Sequence, residues 1–431
     1  MRKRKLALLV GVAIISFILS SCFLLTYNVS GYVKDSSGNP LIGVTISFSN
    51  GSSDTTTNSN GYWSKEGLMG EVTITPSLVG YTFNPPSMVV SSSKSDVNFA
   101  GTKETDLSGK IVDLNLLRVI REAINKPTGP IYESDLLQIT TLENFNQFSS
   151  KRISDLEGIQ YCLNLKTLNL YRNNISTISQ LASLTHLEIL ELCCNQVSDI
   201  TPLQNLTSLQ YLGFSYNQVS NITALHNLSG LKCLNMSYNK ITDLGLIQNL
   251  TNLEKVYIGG NMIPKSNWAF VKNWTWLKIL GLRDMNLENQ DITFLSNFSN
   301  LQVLWIDHNQ ISDISPLKNL TSLEDLQLDD NKISDASPLQ NLVNLVNVWF
   351  ESNQIVDTKP FQNLVNIKQL VLEDNKIEDI SPLVKNSGLN SYDFLDIRYN
   401  FLDLTPGSVD MNNIQTLLNR NVAVSYNPQN Q

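Results

Sequence analysis

The chain has 431 residues, with 31 Lys and Arg against 39 Asp and Glu, a net charge of −8, and only 16% of residues charged, where roughly 25% is usual. Apolar residues reach 42%, enough for a substantial core, which excludes wholesale disorder; an acidic chain without a long basic run also lacks the footprint of a nucleic-acid binder. At about 150 residues per domain the length suggests about three domains, and 50 Asn residues replace much of the missing charge. Three histidines leave little for a metal site. Cys22, Cys162, Cys193, Cys194 and Cys233, odd in number and irregularly spaced, argue against a disulfide framework.

Residues Met1 to Lys5 read MRKRK and Leu6 to Leu19 are almost continuously apolar, the pattern of an export signal. The stretch ends in Leu19-Ser20-Ser21-Cys22, which resembles the lipobox of bacterial lipoproteins. The resemblance implies a signal peptide over 1–21, cleavage before Cys22, lipidation of Cys22, a linker over 22–26, and membrane anchorage on the bacterial cell surface or outer membrane. Cleavage would leave 27 basic against 39 acidic residues, a net −12. An uncleaved anchor helix is the alternative, since Leu6 to Leu25 carries no charge and is just long enough for a bilayer of about 30 Å.

From Tyr27 to Lys103 short alternating runs appear, among them Val44-x-Ile46-x-Phe48 and Val97-x-Phe99, separated by turn clusters such as Asp35-Ser-Ser-Gly38-Asn39-Pro40. Period-two alternation with Gly, Asn and Pro punctuation predicts a small antiparallel sandwich over 27–103. The series Gly31-x-Val33-x-Asp35, Pro40-Leu41-x-Gly43-Val44, Gly61-x-Trp63 and Gly80-Tyr81-x-Phe83-x-Pro85 resembles carboxypeptidase-regulatory-like (transthyretin-like) modules of bacterial surface proteins, which implies a spacer or stalk.

The phrase L-x-x-L-x-L-x-x-N then recurs from Leu165 with Asn at 173, 195, 217, 239, 261, 309, 331, 353, 375 and 400. This resembles the leucine-rich repeat, in the 22-residue form of bacterial internalins. It implies an α/β solenoid of eleven turns over 165–402, a horseshoe with helical caps at 104–164 and 403–431. Each turn cannot bury its leucines alone, so stacked neighbours supply the core. The Asn amide is placed to satisfy backbone groups at the strand exit. Pro202, Pro316, Pro338 and Pro382 suit the first position of short convex-side helical turns, with Asp199, Asp313 and Asp379 capping them. Residues Asp113 to Asn125 and a second helix from Ser134 form the first cap; a helix through Met411, Ile414 and Leu417 and a strand at Val422–Tyr426 form the last. Met285 replaces the ladder Asn in a 24-residue turn, where Trp268, Phe270, Trp274 and Trp276 read as fillers of a wider convex layer.

The residues between the last two leucines of each turn face the concave surface: Asn169, Glu191, Gly213, Asn235, Tyr257, Gly281, Trp305, Gln327, Trp349 and Val371. Beside them lie Asp307, Asp329, Asp330, Glu351, Glu373, Asp374 and Asp396. Aromatics that packing does not require mark binding surfaces, so Tyr257, Trp305, Asp307, Asp329, Asp330, Trp349, Glu351, Glu373 and Asp374 form the candidate ligand patch. Its acidity favours a basic protein or a glycan ligand. Cys162 reads as a buried filler, and Cys193 and Cys233 stand in different columns, too far apart to pair. His186, His226 and His308 are not arranged with a nucleophile, and no phosphate loop or metal-ligand spacing is present. The sequence therefore predicts a non-catalytic, monomeric surface protein without cofactor. It serves either adhesion and recognition or envelope assembly.

Overall fold

The computed structural model describes residues 26–144, 151–267 and 271–430, in two compact units: one runs to Ser108 and includes Pro130–Ser134, the other holds Gly109–Gly129 and everything from Asp135 onward. Cys22 and its lipobox, Trp268 and Phe270 lie outside the described residues.

In the first unit the alternating runs become eight strands: β1 (Tyr27–Asp35), β2 (Thr45–Phe48), β3 (Thr55–Thr56), β4 (Tyr62–Leu68), β5 (Val72–Ser77), β6 (Tyr81–Asn84), β7 (Met88–Val90) and β8 (Phe99–Lys103). They form two four-stranded sheets, ordered β4-β1-β8-β6 and β3-β2-β5-β7. Alternate residues of β1 point inward, so Val29 and Val33 meet Ile46, Trp63, Leu68, Val72, Ile74 and Phe99 in one core. One pairing departs from the expected antiparallel sandwich: β8 runs parallel to β1, with Val33 opposite Phe99. The chain reaches β8 by crossing from β7 in the other sheet, so no hairpin constrains its direction.

In the second unit the repeats build one parallel sheet of thirteen strands, two more than the eleven expected turns, because Thr141–Glu143 of the first cap and Ala423–Ser425 of the last extend it. The turn from Leu165 shows the packing logic. Leu165, Leu168, Leu170, Ile175, Ile178, Leu181 and Leu184 are all 2% exposed or less, at about 1.5–3 kcal/mol of burial free energy per side chain. Convex-side segments are mostly three-residue 3-10 turns, such as Thr201–Leu203 and Ser315–Leu317, with Pro at their start. Asp199, Asp313 and Asp379 accept from the backbone N–H two residues on, at 2.8, 2.8 and 2.7 Å.

The ladder asparagines carry the strand exits. Asn195 Nδ2 donates to Leu170 O, Leu192 O and Cys193 O, and its Oδ1 accepts from Ile175 N at 3.0 Å. The same pattern repeats at Asn217, Asn239, Asn331, Asn353 and Asn375. Met285 has no such amide. Its own N–H and that of Leu287 both turn to Asn309 Oδ1, at 3.1 and 2.9 Å. Trp274 is buried beside this irregular turn, and Trp276 donates to Leu253 O at 2.8 Å.

Both caps seal the stack. A helix over Leu114–Ala123 starts at Asp113, whose carboxylate accepts from Asn115 N and Leu116 N, and buries Leu116, Val119 and Ile120. The second predicted helix is only four residues, Glu133–Leu136. At the far end a helix over Val409–Asn419, capped by Ser408, buries Ile414 and Leu417. No helix among the described residues is long and apolar enough to cross a membrane.

Candidate functional site

Strand register fixes the sheet face. The column read from the sequence is continuous: Asn169, Glu191, Gly213, Asn235, Tyr257, Gly281, Trp305, Gln327, Trp349, Val371 and then Asp396 stand opposite one another on successive strands. Glycines let large neighbours lean across. A Cβ on Gly281 would come within 2.8 Å of the Tyr257 ring. Without it, Tyr257 and Trp305 meet at 5.2 Å between ring centres, tilted 41°. Trp305 Nε1 donates to Asp325 Oδ1 at 3.3 Å. Trp349 lies one strand beyond Gln327, and all three aromatics are half-buried.

The carboxylates divide into two kinds. Asp330, Glu351 and Asp374 are exposed, and Asp329 and Glu373 are half-buried. Burial, opposed by the N–H donated from Glu351 and reinforced by Asp307, Glu351 and Asp330, pushes Asp329 up to about 7. Burial and then Asp396 raise Glu373, against the pull of Arg398. Asp307 behaves differently from the expectation that it faces a ligand. Its side chain is 1% exposed and paired with Arg283 Nε at 2.5 Å, so it supports the face from below and is not available for contact. His308 stands between the exposed and the buried carboxylate, with Nδ1 3.0 Å from Asp330 and Nε2 3.6 Å from Asp307. Arg398 binds Asp396 at 2.7 Å and Glu373 at 2.5 Å.

Arg283 and Arg398 were missed as parts of the patch because their column was read for acids alone. A second omission is conformational. The residue before each ladder position adopts a positive φ, between 50° and 59° at Arg172, Cys194, Tyr216, Tyr238, Asp284 (before Met285), His308, Asp330, Ser352, Asp374 and Tyr399, and 64° at Gly260. This left-handed turn lifts the chain off the strand and suits Asp or Asn better than a bulky residue. Tyr216 and Tyr238 occupy it nonetheless and stack at 4.2 Å, with Tyr238 lying over Gly260, where a Cβ would fall within 2.3 Å of its ring. The repeated Ser-Tyr-Asn at 215–217 and 237–239 was the available signal.

Among the described residues Cys162, Cys193, Cys194 and Cys233 are free. Cys162 and Cys193 are buried, and burial pushes Cys162 up to about 12. Cys193 Sγ accepts from the Ser215 hydroxyl at 2.8 Å. Among the described residues no three His, Cys, Asp or Glu side chains are grouped to hold a metal ion. The face offers aromatic planes, exposed carboxylates and arginines paired with buried or half-buried carboxylates.

Comparison with known proteins fits this architecture. Residues 163–205, 207–244, 229–273 and 299–341 match the family Leucine Rich repeats (2 copies), and residues 29–112 match the CarboxypepD_reg-like domain. An internalin (inlF) from Listeria monocytogenes is 30% identical over 75% of this chain and 93% of its own length, with a TM-score of 0.62. The chain belongs to the internalin-like leucine-rich repeat proteins. A second Listeria monocytogenes internalin, C2 (inlC2), is 33% identical over 57% of this chain and 97% of its own, with a TM-score of 0.42. A TDR receptor, at 18% identity, 69% and 57% coverage and a TM-score of 0.53, shares the fold. No curated protein sequence matches the chain. Internalin-like repeat proteins are typically protein-binding recognition modules.

Proposed function

We propose that this internalin-like protein is a non-catalytic cell-surface lipoprotein, held to the membrane through acylated Cys22, that recognises a basic protein ligand on its sheet face between Tyr257 and Glu373. The observation that carries this reading is the Tyr257–Trp305 pair, 5.2 Å apart, flanked by Trp349 and by exposed Asp330, Glu351 and Asp374. The solenoid core needs none of these side chains, and half-buried aromatics with a charged surround are the anchors that dominate binding energy. The sandwich at 27–103 serves as a spacer between anchor and recognition face.

The test is capture by the purified full chain from extracts of its own cell envelope and of foreign cells, with Trp305→Ala/Trp349→Ala as control. A partner retained by the wild type and lost by the double variant supports recognition at this face. Retention of own-envelope partners alone would assign the protein to envelope assembly. Partners retained equally by both chains would remove the face from the account.

A further inference from the structure

The first residues of four neighbouring strands, Ile189, Tyr211, Cys233 and Lys255, stand in register on the same sheet face. With Glu188, Gln210, Lys232 and Glu254, which precede them, they line a groove of about 310 Å³. Its floor from Ile189 to Cys233 is uncharged. Ile189 is 42% exposed, Tyr211 donates its hydroxyl to Glu191 Oε2 at 2.6 Å, and burial pushes the Cys233 thiol up to about 11. The charges around it are unequally committed. Glu188 is held by Lys166 at 3.0 Å and Glu254 by Lys278 at 2.7 Å. Glu191 accepts from the Tyr211 hydroxyl and from Cys193 N at 2.7 Å. Lys232 and Lys255 are exposed, and among the described residues neither has a carboxylate within 4.0 Å. Both ammonium groups act on Glu254 at longer range, but Lys278 already holds that carboxylate, so two ammonium groups without a direct ion pair stand beside an open apolar floor.

We infer that this groove takes an acidic residue and an adjacent apolar side chain from an extended segment of the ligand whose basic stretch lies on the Tyr257–Glu373 patch; the inference rests on the function proposed above. The groove crosses four strands, about 14 Å at a strand spacing of about 4.8 Å, which is longer than a single terminal residue. Lys255 shares its strand with Tyr257, so a chain leaving the groove runs directly onto the aromatic patch. From the strand of Lys255 to the strand that leads into Asp329 there are three steps, about 14 Å across the sheet, and Asp329 lies four residues, about 13 Å, beyond Asp325, which is in register with Lys255; the direct span is about 19 Å, or about six residues of extended chain. The recognised segment therefore reads apolar–acidic, a gap of about six residues, then basic.

The experiment uses the full chain and three capped, fluorescently labelled peptides: one bearing Leu-Asp, one bearing Lys-Lys, and one joining the two through about six Ser and Gly residues. Anisotropy titration should show the joined peptide binding at least tenfold tighter than the Lys-Lys peptide, as expected when two weak sites are bridged by a matched span. Lys232→Ala/Lys255→Ala, both on exposed residues, should abolish that gain and weaken the Leu-Asp peptide at least threefold. A joined peptide that binds no tighter than Lys-Lys alone, or that keeps its advantage in the double variant, overturns the inference. The recognition patch is judged separately: Trp305→Ala/Trp349→Ala should weaken the Lys-Lys peptide, and if it does not, the patch fails while the groove is still decided by the Leu-Asp peptide.

Discussion

Replacing Asn309 by Ala tests how the repeat is held together where its ladder is broken. Asn309 is 3% exposed. Its Nδ2 donates to Leu282 O, Ile306 O and Asp307 O at 3.0, 2.9 and 3.0 Å, and its Oδ1 accepts two backbone N–H groups, from Met285 and Leu287. A regular ladder residue such as Asn331 accepts only one, from Ile311 at 3.0 Å. An orphaned buried donor costs about 1–3 kcal/mol, and under-satisfied carbonyls cost less. Asn309→Ala should therefore destabilise by about 3–4 kcal/mol and Asn331→Ala by about 2 kcal/mol. Exposed Asn227 is the control, and its Ala variant should stay within about 0.5 kcal/mol of wild type. Denaturant unfolding followed by circular dichroism gives the ranking, and hydrogen exchange should locate the loss around residues 285–309, since repeat stability is a nearest-neighbour sum. If Asn309→Ala costs no more than Asn331→Ala, the second accepted N–H is not compensating for Met285 and the reasoning fails.

Three further outcomes follow from the site. Asp329 sits near 7 in the folded chain, above its ordinary value of 3.8, so the folded state binds the proton more tightly than the unfolded one, and this group's contribution to stability is present below about 3.8, falls as pH rises from there and is lost above about 7. Binding of a cationic ligand should weaken as pH drops from 8 to 6, measured by calorimetry, and Asp329→Asn should flatten the profile; an unchanged profile would show that Asp329 does not set it. Arg283→Ala leaves Asp307, 1% exposed, without its cation and should cost about 3 kcal/mol, with Arg283→Ala/Asp307→Asn recovering most of it in thermal melts; no recovery would mean the guanidinium acts through packing. Gly281→Ala places a Cβ 2.8 Å from the Tyr257 ring and should separate it from Trp305, lowering ligand affinity several-fold with little change in melting temperature. Equal affinity would remove the tilted pair from the binding surface.

Much of this was legible because the repeat makes position predict environment. Once Leu168 and Leu170 are recognised as inward-pointing, Asn169 and every residue at its phase must face the other way, and strand register places them in one column. What periodicity could not show depends on contacts between turns. Asp307 and Asp329 share a phase, yet Asp307 is buried because Arg283 from the preceding turn lies against it, while Asp329 takes the N–H of Glu351 and remains half-buried. The parallel pairing of β1 with β8 is likewise a long-range choice that alternation within each strand cannot encode. The left-handed backbone at Tyr216 and Tyr238 escaped notice because glycine and asparagine signal that conformation in a sequence, and tyrosine does not.

The most direct measurement of the central claim is the affinity of the captured partner for the wild-type full chain and for Trp305→Ala/Trp349→Ala, with Asn235→Ala on the same column but outside the patch as reference. Loss of two aromatic anchors at a binding hot spot should cost at least about 2 kcal/mol, which is roughly thirtyfold in Kd, while Asn235→Ala stays within about threefold. A double variant that binds as tightly as wild type, with its fold intact by circular dichroism, would place recognition somewhere other than the Tyr257–Glu373 face.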